Sequence, residues 1–313
     1  MKSLFPLFAI GALLALSPAL DAKITRTVEK TFSVQPGGRL QASTQGGDIV
    51  IHTSDQPQVQ VTVRQVIRAS TEAEADELLA KLTLKLEQSG NDVTIDSRYE
   101  RQGPGGWFRN WPPVNVSFEV TVPRQFNLDL GTSGGDITVA SLAGEVRART
   151  SGGDLKFDRI DGDLDAGTSG GDITLNEGTA RAKLHTSGGD ISVDRAGGPT
   201  EVSTSGGDIS LNSVVRLVRA STSGGDVRAA ITGPIREDTM LSTSGGNVDV
   251  QVAPDTGFHL DASTSGGDVR ADGITITLEK GGVGKHRLVG AVNGGGPRLT
   301  LRSSGGDIRV RTR

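Results

Sequence analysis

The sequence predicts an all-β fold, a single-stranded β-solenoid (β-helix) with coils of about 18 residues and an elaborated N-terminal capping region containing one short helix. The prediction depends on a repeated motif and on a two-residue hydrophobic period. The motif is Ser or Thr, any residue, Gly, Gly, then Asp or Asn, followed by an aliphatic residue. Its last polar position is taken by Asp48, Asp136, Asp154, Asp172, Asp190, Asp208, Asp226, Asn247, Asp268 and Asp307. From Asp136 to Asp226 the spacing is always 18 residues, and intervals of 21, 21 and 39 residues follow.

Apolar residues alternate with polar ones on both sides of the motif, which is typical of β-strands. Around Asp190 the apolar residues include Leu184 and Ile191, which a continuous strand would place on opposite faces. A Gly-Gly corner allows both to point inward, because glycine tolerates positive φ and lets the chain turn sharply. The predicted structural corner residues are Gly134, Gly135, Asp136, Gly152, Gly153, Asp154, Gly170, Gly171, Asp172, Gly188, Gly189, Asp190, Gly206, Gly207 and Asp208.

One strand with its corner and the following strand cannot bury its own apolar side. Successive segments of this kind are therefore expected to stack and to bury that side together. Stacking also brings the Asp carboxylates about 4.8 Å apart, where neighbours repel by roughly 1 kcal/mol in water. Hydrogen bonds from backbone N–H groups of the corner to the carboxylates would offset this repulsion. Asn247 is consistent with that role, since Asn keeps the acceptor oxygen and loses the charge.

The segment from residue 23 to 130 departs from the period and is predicted to cover one end of the solenoid, as terminal repeats do. It contains the stretch ASTEAEADELLAKL, in which Ser70 or Thr71 can cap a short helix with acidic residues in its first turn. The solenoid repeats are expected over residues 131–313, continuous with this capping region in one domain.

Residues 1–22 have the order of a secretory signal peptide: Lys2, an apolar run over Leu4–Leu16, then small residues. That run is too short to span a bilayer, and no later segment is apolar enough. The chain has no Cys, hence neither disulfides nor a lipid-modified Cys. The predicted location is therefore periplasmic or secreted, without a transmembrane segment after signal removal. A net charge of -4 argues against nucleic acid as a partner.

Catalytic, cofactor and metal sites are not predicted from the motif. The stretches at 131–135 and 167–171 satisfy the hydrolase pattern G-x-S-x-G, but the pattern recurs at one period and an aliphatic strand follows where a helix is needed. Calcium held by stacked Asp residues stays an alternative. Transition metals are disfavoured, because the four His residues are scattered singly.

One aromatic segment lies outside the repeat: RQGPGGWFRNWPP, residues 101–113, with Trp107, Phe108 and Trp111. Aromatic residues in a Gly/Pro loop commonly contact a partner, and these three are the candidate partner-contact residues. The alternative is a hydrophobic lid over the first coil.

The TSGGDI coils, the early ASTQGGDIVI, the insert STEAEADELLAKLTLKLEQSGNDVTI and the closing GGGPRLTLRSSGGDIRV resemble the bacterial toastrack, or putative-adhesin, family of β-strand repeat proteins. The resemblance covers nearly all of the mature chain and implies a β-solenoid at the cell envelope. It carries over no catalytic residues, because the family has no established set. The predicted function is a non-enzymatic exported cell-envelope protein, an adhesin-like, scaffold or envelope-sensing module that binds an unidentified envelope protein or glycan. A carbohydrate-active β-helix enzyme and a calcium-stabilised repeat protein are the alternatives.

Overall fold

The structure, a computed structural model, describes residues 23–99 and 112–312. This part of the chain is all-β and contains one helix, as predicted. The elements of the N-terminal half are β1 (Lys23–Ser33), β2 (Arg39–Thr44), β3 (Ile49–Ser54), β4 (Gln58–Arg68), α1 (Glu72–Leu79), β5 (Leu82–Ser89), β6 (Asp92–Tyr99), β7 (Val114–Pro123), β8 (Asn127–Thr132), β9 (Ile137–Val139), β10 (Val146–Arg149) and β11 (Leu155–Ile160). Those of the C-terminal half are β12 (Leu164–Gly167), β13 (Ile173–Gly178), β14 (Ala182–His185), β15 (Ile191–Ser203), β16 (Ile209–Ser221), β17 (Val227–Ile231), β18 (Thr239–Ser242), β19 (Val248–Val252), β20 (Phe258–Thr264), β21 (Val269–Asp272), β22 (Ile276–Gly284), β23 (Arg287–Val292), β24 (Arg298–Ser303) and β25 (Ile308–Thr312).

Most strands belong to two parallel stacks, one formed by the strands before each Gly-Gly corner and one by the strands after it. In the first stack Val146 pairs with Leu128 on one side and with Leu164 on the other. In the second stack Leu155 pairs with Ile137 and Ile173. We call one strand, its corner and the following strand a unit. Each of these pairings joins equivalent residues of neighbouring units, so like side chains lie above one another.

The corner between the stacks changes which side chains point inward, as the alternation of the sequence predicted. Leu184 before the corner and Ile191 after it are both buried, although seven positions separate them. Thr186, between Leu184 and the glycines, is buried too. The interior therefore consists of columns of aliphatic residues, closed at the corners by a threonine or, in the last unit, by Ser303.

The helix lies in the non-periodic N-terminal part. Thr71 is its N-cap, and its side-chain oxygen accepts a hydrogen bond from the backbone N–H of Glu74, 3.2 Å away. Glu74 in turn accepts a bond from the backbone N–H of Ser70 at 2.9 Å. The bond to Thr71 satisfies an N–H group that a helix start otherwise leaves unpaired, and the bond from Ser70 fixes the residue before the cap. The predicted capped helix is thus confirmed. Around it, β4 pairs antiparallel with β1 and β7, and β5 pairs antiparallel with β6.

The units near the C-terminus do not stack in chain order. Strand β24 pairs in parallel with both β18 and β20, and β25 pairs in parallel with both β19 and β21. The last unit of the chain is therefore inserted between two earlier units. Strand β23 pairs antiparallel with the outer side of β20, and β22 pairs with β23. The spacing of the motif did not predict this order.

The helix α1 is not long and apolar enough to cross a membrane, and the described ranges contain no other helix that could.

Candidate functional site: the corner ridge, its charged flanks and the first corner

The predicted corner residues lie in the turns that join the two stacks, and together they form a ridge along the molecule. The second glycine of each corner is required by a close approach of backbones. A Cβ atom on Gly153 would lie 2.0 Å from the carbonyl oxygen of Gly135, and one on Gly171 would lie 2.1 Å from that of Gly153. We had expected glycine at the corners because it tolerates positive φ. That reason is wrong, because no corner glycine has φ in the left-handed region. Glycine is needed here because stacked units leave no space for a side chain.

The buried threonine of each corner links two units through hydrogen bonds. The Thr186 hydroxyl donates to the carbonyl oxygen of Gly171 in the preceding unit at 2.8 Å. The same hydroxyl oxygen accepts from the backbone N–H of Gly189 at 3.4 Å. Ser303 makes both bonds in the C-terminal unit, so the hydroxyl is the group that matters.

The Asp side chains form a ladder in which each carboxylate accepts a hydrogen bond from the next unit. The backbone N–H of Asp190 donates to Asp172 Oδ1 at 2.8 Å, and that of Asp208 donates to Asp190 Oδ1 at 2.7 Å. Asn247 replaces the carboxylate without losing the bond, since its Oδ1 accepts from the backbone N–H of Asp307 at 2.8 Å. The corner N–H group is thus the partner that the sequence required to offset repulsion between neighbouring carboxylates.

Basic side chains offset the remaining charge of the ladder. Hydrogen bonding from the backbone N–H of Asp172 is the largest cause that holds the pKa of the Asp154 carboxyl below its usual value, and it outweighs the opposing effect of burial. Lys156 acts in the same direction, with its Nζ 3.3 Å from Asp154 Oδ2. Arg228 pairs in the same way with Asp226. At these two corners the outer carboxylate oxygen therefore faces a cation of the protein itself.

Replacing Asp190 with alanine is expected to lower the free energy of unfolding by about 1 kcal/mol, because the backbone N–H of Asp208 loses its acceptor. The matched variant Asp190→Asn keeps the acceptor, as Asn247 does, and should stay within about 0.5 kcal/mol of the parent. Urea unfolding followed by circular dichroism measures both. Equal destabilisation by the two variants would show that the charge, and not the hydrogen bond, stabilises the ladder.

Two structural observations concern the alternatives of catalysis at the motif and of calcium binding. Strand β9 follows the stretch at 131–135, and strand β13 follows the one at 167–171, where a nucleophile elbow needs a helix. Over residues 23–99 and 112–312 there is no group of three or more His, Cys, Asp or Glu side chains placed to hold a metal ion.

The outer face of the first stack carries a column of alternating charge that sequence reasoning missed. The column is formed by equivalent residues of successive units: Asp129, Arg147, Asp165, Lys183, Glu201 and Arg219. Arg149 reinforces it with an ion pair to Asp165 at 2.7 Å. An open depression of about 370 Å³ lies over this column, lined among others by Glu145 and Arg181. Comparison of the seventh residue before each motif Asp would have found the alternation.

A second column of this kind lies on the outer face of the second stack. Arg159 and Arg195 both pair with Glu177, at 2.8 and 3.0 Å. Opposite charges at equivalent positions of adjacent strands stabilise the stack. The contribution is modest, because all three side chains are partly exposed. Both flanks of the ridge therefore present mixed charge in register.

The candidate partner-contact residues Trp107, Phe108 and Trp111 lie outside the described residues. The described residues on either side of this segment both lie at the first corner. The backbone N–H of Tyr99 donates to Oε1 of Gln45 at 2.8 Å. A Cβ atom on Gly46 would lie 3.5 Å from Pro112, so the chain returns beside the same corner. Tyr99 and Pro112, the described residues nearest to these aromatic residues in sequence, thus both lie at the N-terminal end of the ridge.

Comparisons with known proteins were made for the whole chain. A family model described as Toastrack DUF4097 matches residues 39–311. Among solved structures, a "putative adhesin" from Parabacteroides merdae is 12% identical, with 92% of this chain and 96% of that chain covered and a TM-score of 0.46. A "putative lipid binding protein" from Parabacteroides distasonis is 13% identical, with 90% and 96% covered and a TM-score of 0.43. A "putative adhesin" from Bacteroides fragilis is 13% identical, with 92% and 97% covered and a TM-score of 0.41. No curated protein matches the sequence.

Proposed function

We propose that this chain, which belongs to the Toastrack DUF4097 family, is a non-enzymatic cell-envelope protein. It acts as an adhesin-like, scaffold or sensing module. In this proposal the two parallel stacks are the sides of a single-stranded β-solenoid with 18-residue coils. Residues 23–130 cover its N-terminal end, and residues 1–22 are a signal peptide that directs export to the periplasm or outside the cell.

The hydrogen bonds of the repeated residues support a binding role located elsewhere than in the motif. The Thr hydroxyls, the Asp carboxylates and the corner N–H groups bond to neighbouring units. A group that holds one unit to the next is already used by the fold. Partner recognition is therefore assigned to residues outside the motif.

The observation that carries the proposal is the position of the described residues that flank the aromatic cluster Trp107, Phe108 and Trp111. Its flanking residues Tyr99 and Pro112 both lie at the corner formed by Gln45 and Gly46. In our proposal Trp107, Phe108 and Trp111 form the apolar centre of a contact surface at this end of the ridge, since aromatic anchors supply much of the energy of protein and glycan contacts. The column of Asp129, Arg147, Asp165 and Lys183 begins on β8, which pairs with β2, the strand before this corner. In our proposal it forms the polar rim of the surface, which suits a polar partner such as a glycan or an envelope protein.

The double variant Trp107→Ala/Trp111→Ala is expected to weaken binding at least about tenfold, because a buried aromatic anchor contributes about 2 kcal/mol or more. Binding is measured on a glycan array and in pull-downs from an envelope fraction. The matched control is Leu278→Ala/Val283→Ala, which removes two apolar side chains, 51% and 61% exposed, from β22 near the opposite end. The control should bind like the parent.

Unchanged binding by the tryptophan variant, together with a lowered melting temperature, would contradict the proposal and support the lid role. Analysis of any bound glycan after incubation separates binding from hydrolysis. Released product would contradict the non-enzymatic part of the proposal.

A further inference from the structure

The C-terminal unit, residues 298–312, occupies a slot between two earlier units. On one side of the slot lie β18 and β19, and on the other lie β20 and β21. The inward side chains of the unit are fully buried: Leu299, Leu301, Ile308 and Val310. Both strands of this unit are thus paired along both of their edges with strands that precede them in the sequence.

The slot repeats the corner hydrogen bonds of the rest of the stack. The backbone N–H of Asp307 donates to Asn247 Oδ1, and that of Asp268 donates to Asp307 Oδ1, both at 2.8 Å. The Thr264 hydroxyl donates to the carbonyl oxygen of Gly306 at 2.7 Å. Any segment that enters the slot must therefore supply a Gly-Gly-Asp corner in this register.

The charges of the slot also match the C-terminal unit. The unit carries four Arg residues and a single acidic residue, Asp307. The adjacent units supply a carboxylate near each Arg position. The contacts are Arg302 Nη2 to Asp261 Oδ2 at 2.8 Å, Arg309 Nη2 to Asp272 Oδ2 at 2.6 Å, Arg311 Nε to Asp249 Oδ1 at 3.4 Å, and the Arg298 backbone N–H to Asp238 Oδ1 at 2.9 Å. Hydrogen bonding from Arg302 is the largest cause that lowers the pKa of Asp261. Three of these contacts are ion pairs of Arg side chains, so the slot favours a basic corner segment.

A glycine hinge connects this unit to the rest of the chain. Residues 293–297 read NGGGP, and Asn293, Gly294, Gly295 and Gly296 all have positive φ. The hinge passes close to Gly257 at the start of β20, from β23 on one side of that strand to β24 on the other. Hinges of this kind absorb the dihedral changes that let a terminal element leave its own molecule.

We propose that the slot also accepts the C-terminal unit of a second copy of this chain, so that two copies exchange residues 298–312 through the hinge at 293–297. The exchanged unit makes the same corner bonds and the same four acidic contacts as in the single chain. Exchange of an identical element costs little at equilibrium, and its extent rises with protein concentration. The partner is identified by the register and charge of the slot, independently of the binding role proposed above.

Cysteine pairs in the full chain test the exchange, because the natural sequence contains no Cys. Met240 and Thr300 are paired residues of β18 and β24, so Met240→Cys/Thr300→Cys joins the slot to whichever C-terminal unit occupies it. Concentrated protein is held in mildly destabilising urea, diluted, oxidised and run on a non-reducing gel. We expect a shift from the monomer to the covalent dimer that grows with protein concentration.

The matched control is Arg219→Cys/Met240→Cys, which joins paired residues of β16 and β18. Both residues precede the hinge, so this pair should stay within one chain under the same conditions. Exclusively intramolecular disulfides in the reporter pair, or equal dimer in the reporter and the control, would overturn the proposal. Circular dichroism spectra identical to that of the parent establish that each variant is folded.

Discussion

Gly153→Ala is expected to lower the free energy of unfolding by about 3 kcal/mol. The new Cβ would lie 2.0 Å from the carbonyl oxygen of Gly135, and the atom it meets is backbone, which cannot move aside as a flexible side chain would. Neighbouring units must then separate locally, and overpacking that shifts backbone costs about 1–3 kcal/mol or more. The measurement is the urea midpoint of the circular dichroism signal, with the slope compared between variants.

The adjacent glycine provides the control for this prediction. A Cβ on Gly152 would lie 3.6 Å from the carbonyl oxygen of Gly134, an ordinary van der Waals distance. Gly152→Ala should therefore stay within about 1 kcal/mol of the parent, because alanine also restricts the unfolded chain. If both variants lose the same stability, the corner backbone conformation, and not the approach of neighbouring units, requires glycine.

Thr186→Val is expected to lower the free energy of unfolding by about 2 kcal/mol while leaving the shape of the side chain almost unchanged. The substitution removes the donor to the Gly171 carbonyl and the acceptor for the Gly189 N–H. Thr186 is fully buried, so water cannot replace these bonds without opening the corner. An unsatisfied buried polar group costs about 1–3 kcal/mol. Thermal and urea unfolding monitored by circular dichroism measure the loss.

Thr186→Ser is the conservative control, because it keeps the hydroxyl and removes only a methyl group. The C-terminal unit already uses serine at the equivalent position, where Ser303 bonds to Gly246 and Gly306. The serine variant should therefore lose about 1 kcal/mol or less, the cost of one buried methyl group. Valine as stable as threonine would show that the hydroxyl column contributes nothing and that packing alone closes the corner.

Much of the fold could be predicted because the relevant signals are local. The change of parity across Gly188 and Gly189 requires a corner, and Leu184 and Ile191 are buried on its two sides. The helix start could be predicted equally well, because the cap at Thr71 and the acidic residues after it lie within a few positions of one another. The Asn at position 247 indicated that an acceptor oxygen matters more than a charge, and the bond from Asp307 agrees.

The candidate site was less predictable. Trp107, Phe108 and Trp111 stand out by composition, but only the bond from Tyr99 to Gln45 and the position of Pro112 show that the described residues on either side of them lie at the first corner. The alternating column through Arg147 and Asp165 is visible in the aligned repeats once the stacking register is known. The use of each glycine could not be inferred, since a sequence shows that glycine recurs but not which atom lies beside it.

By itself the sequence determined the period, the strand and corner of each unit, the side chains that face inward and the capped helix that begins after Thr71, because these follow from side-chain periodicity and turn chemistry over a few residues. Only the tertiary structure decided which unit stacks on which. Every unit offers nearly the same glycine, threonine and aspartate contacts, so alternative stacking orders satisfy the local pattern equally. The outcome depends on residues that are distant in the sequence. The last unit follows the glycine hinge at 293–297 and lies in a slot between two earlier units. In this slot Arg302 pairs with Asp261, and Arg309 pairs with Asp272.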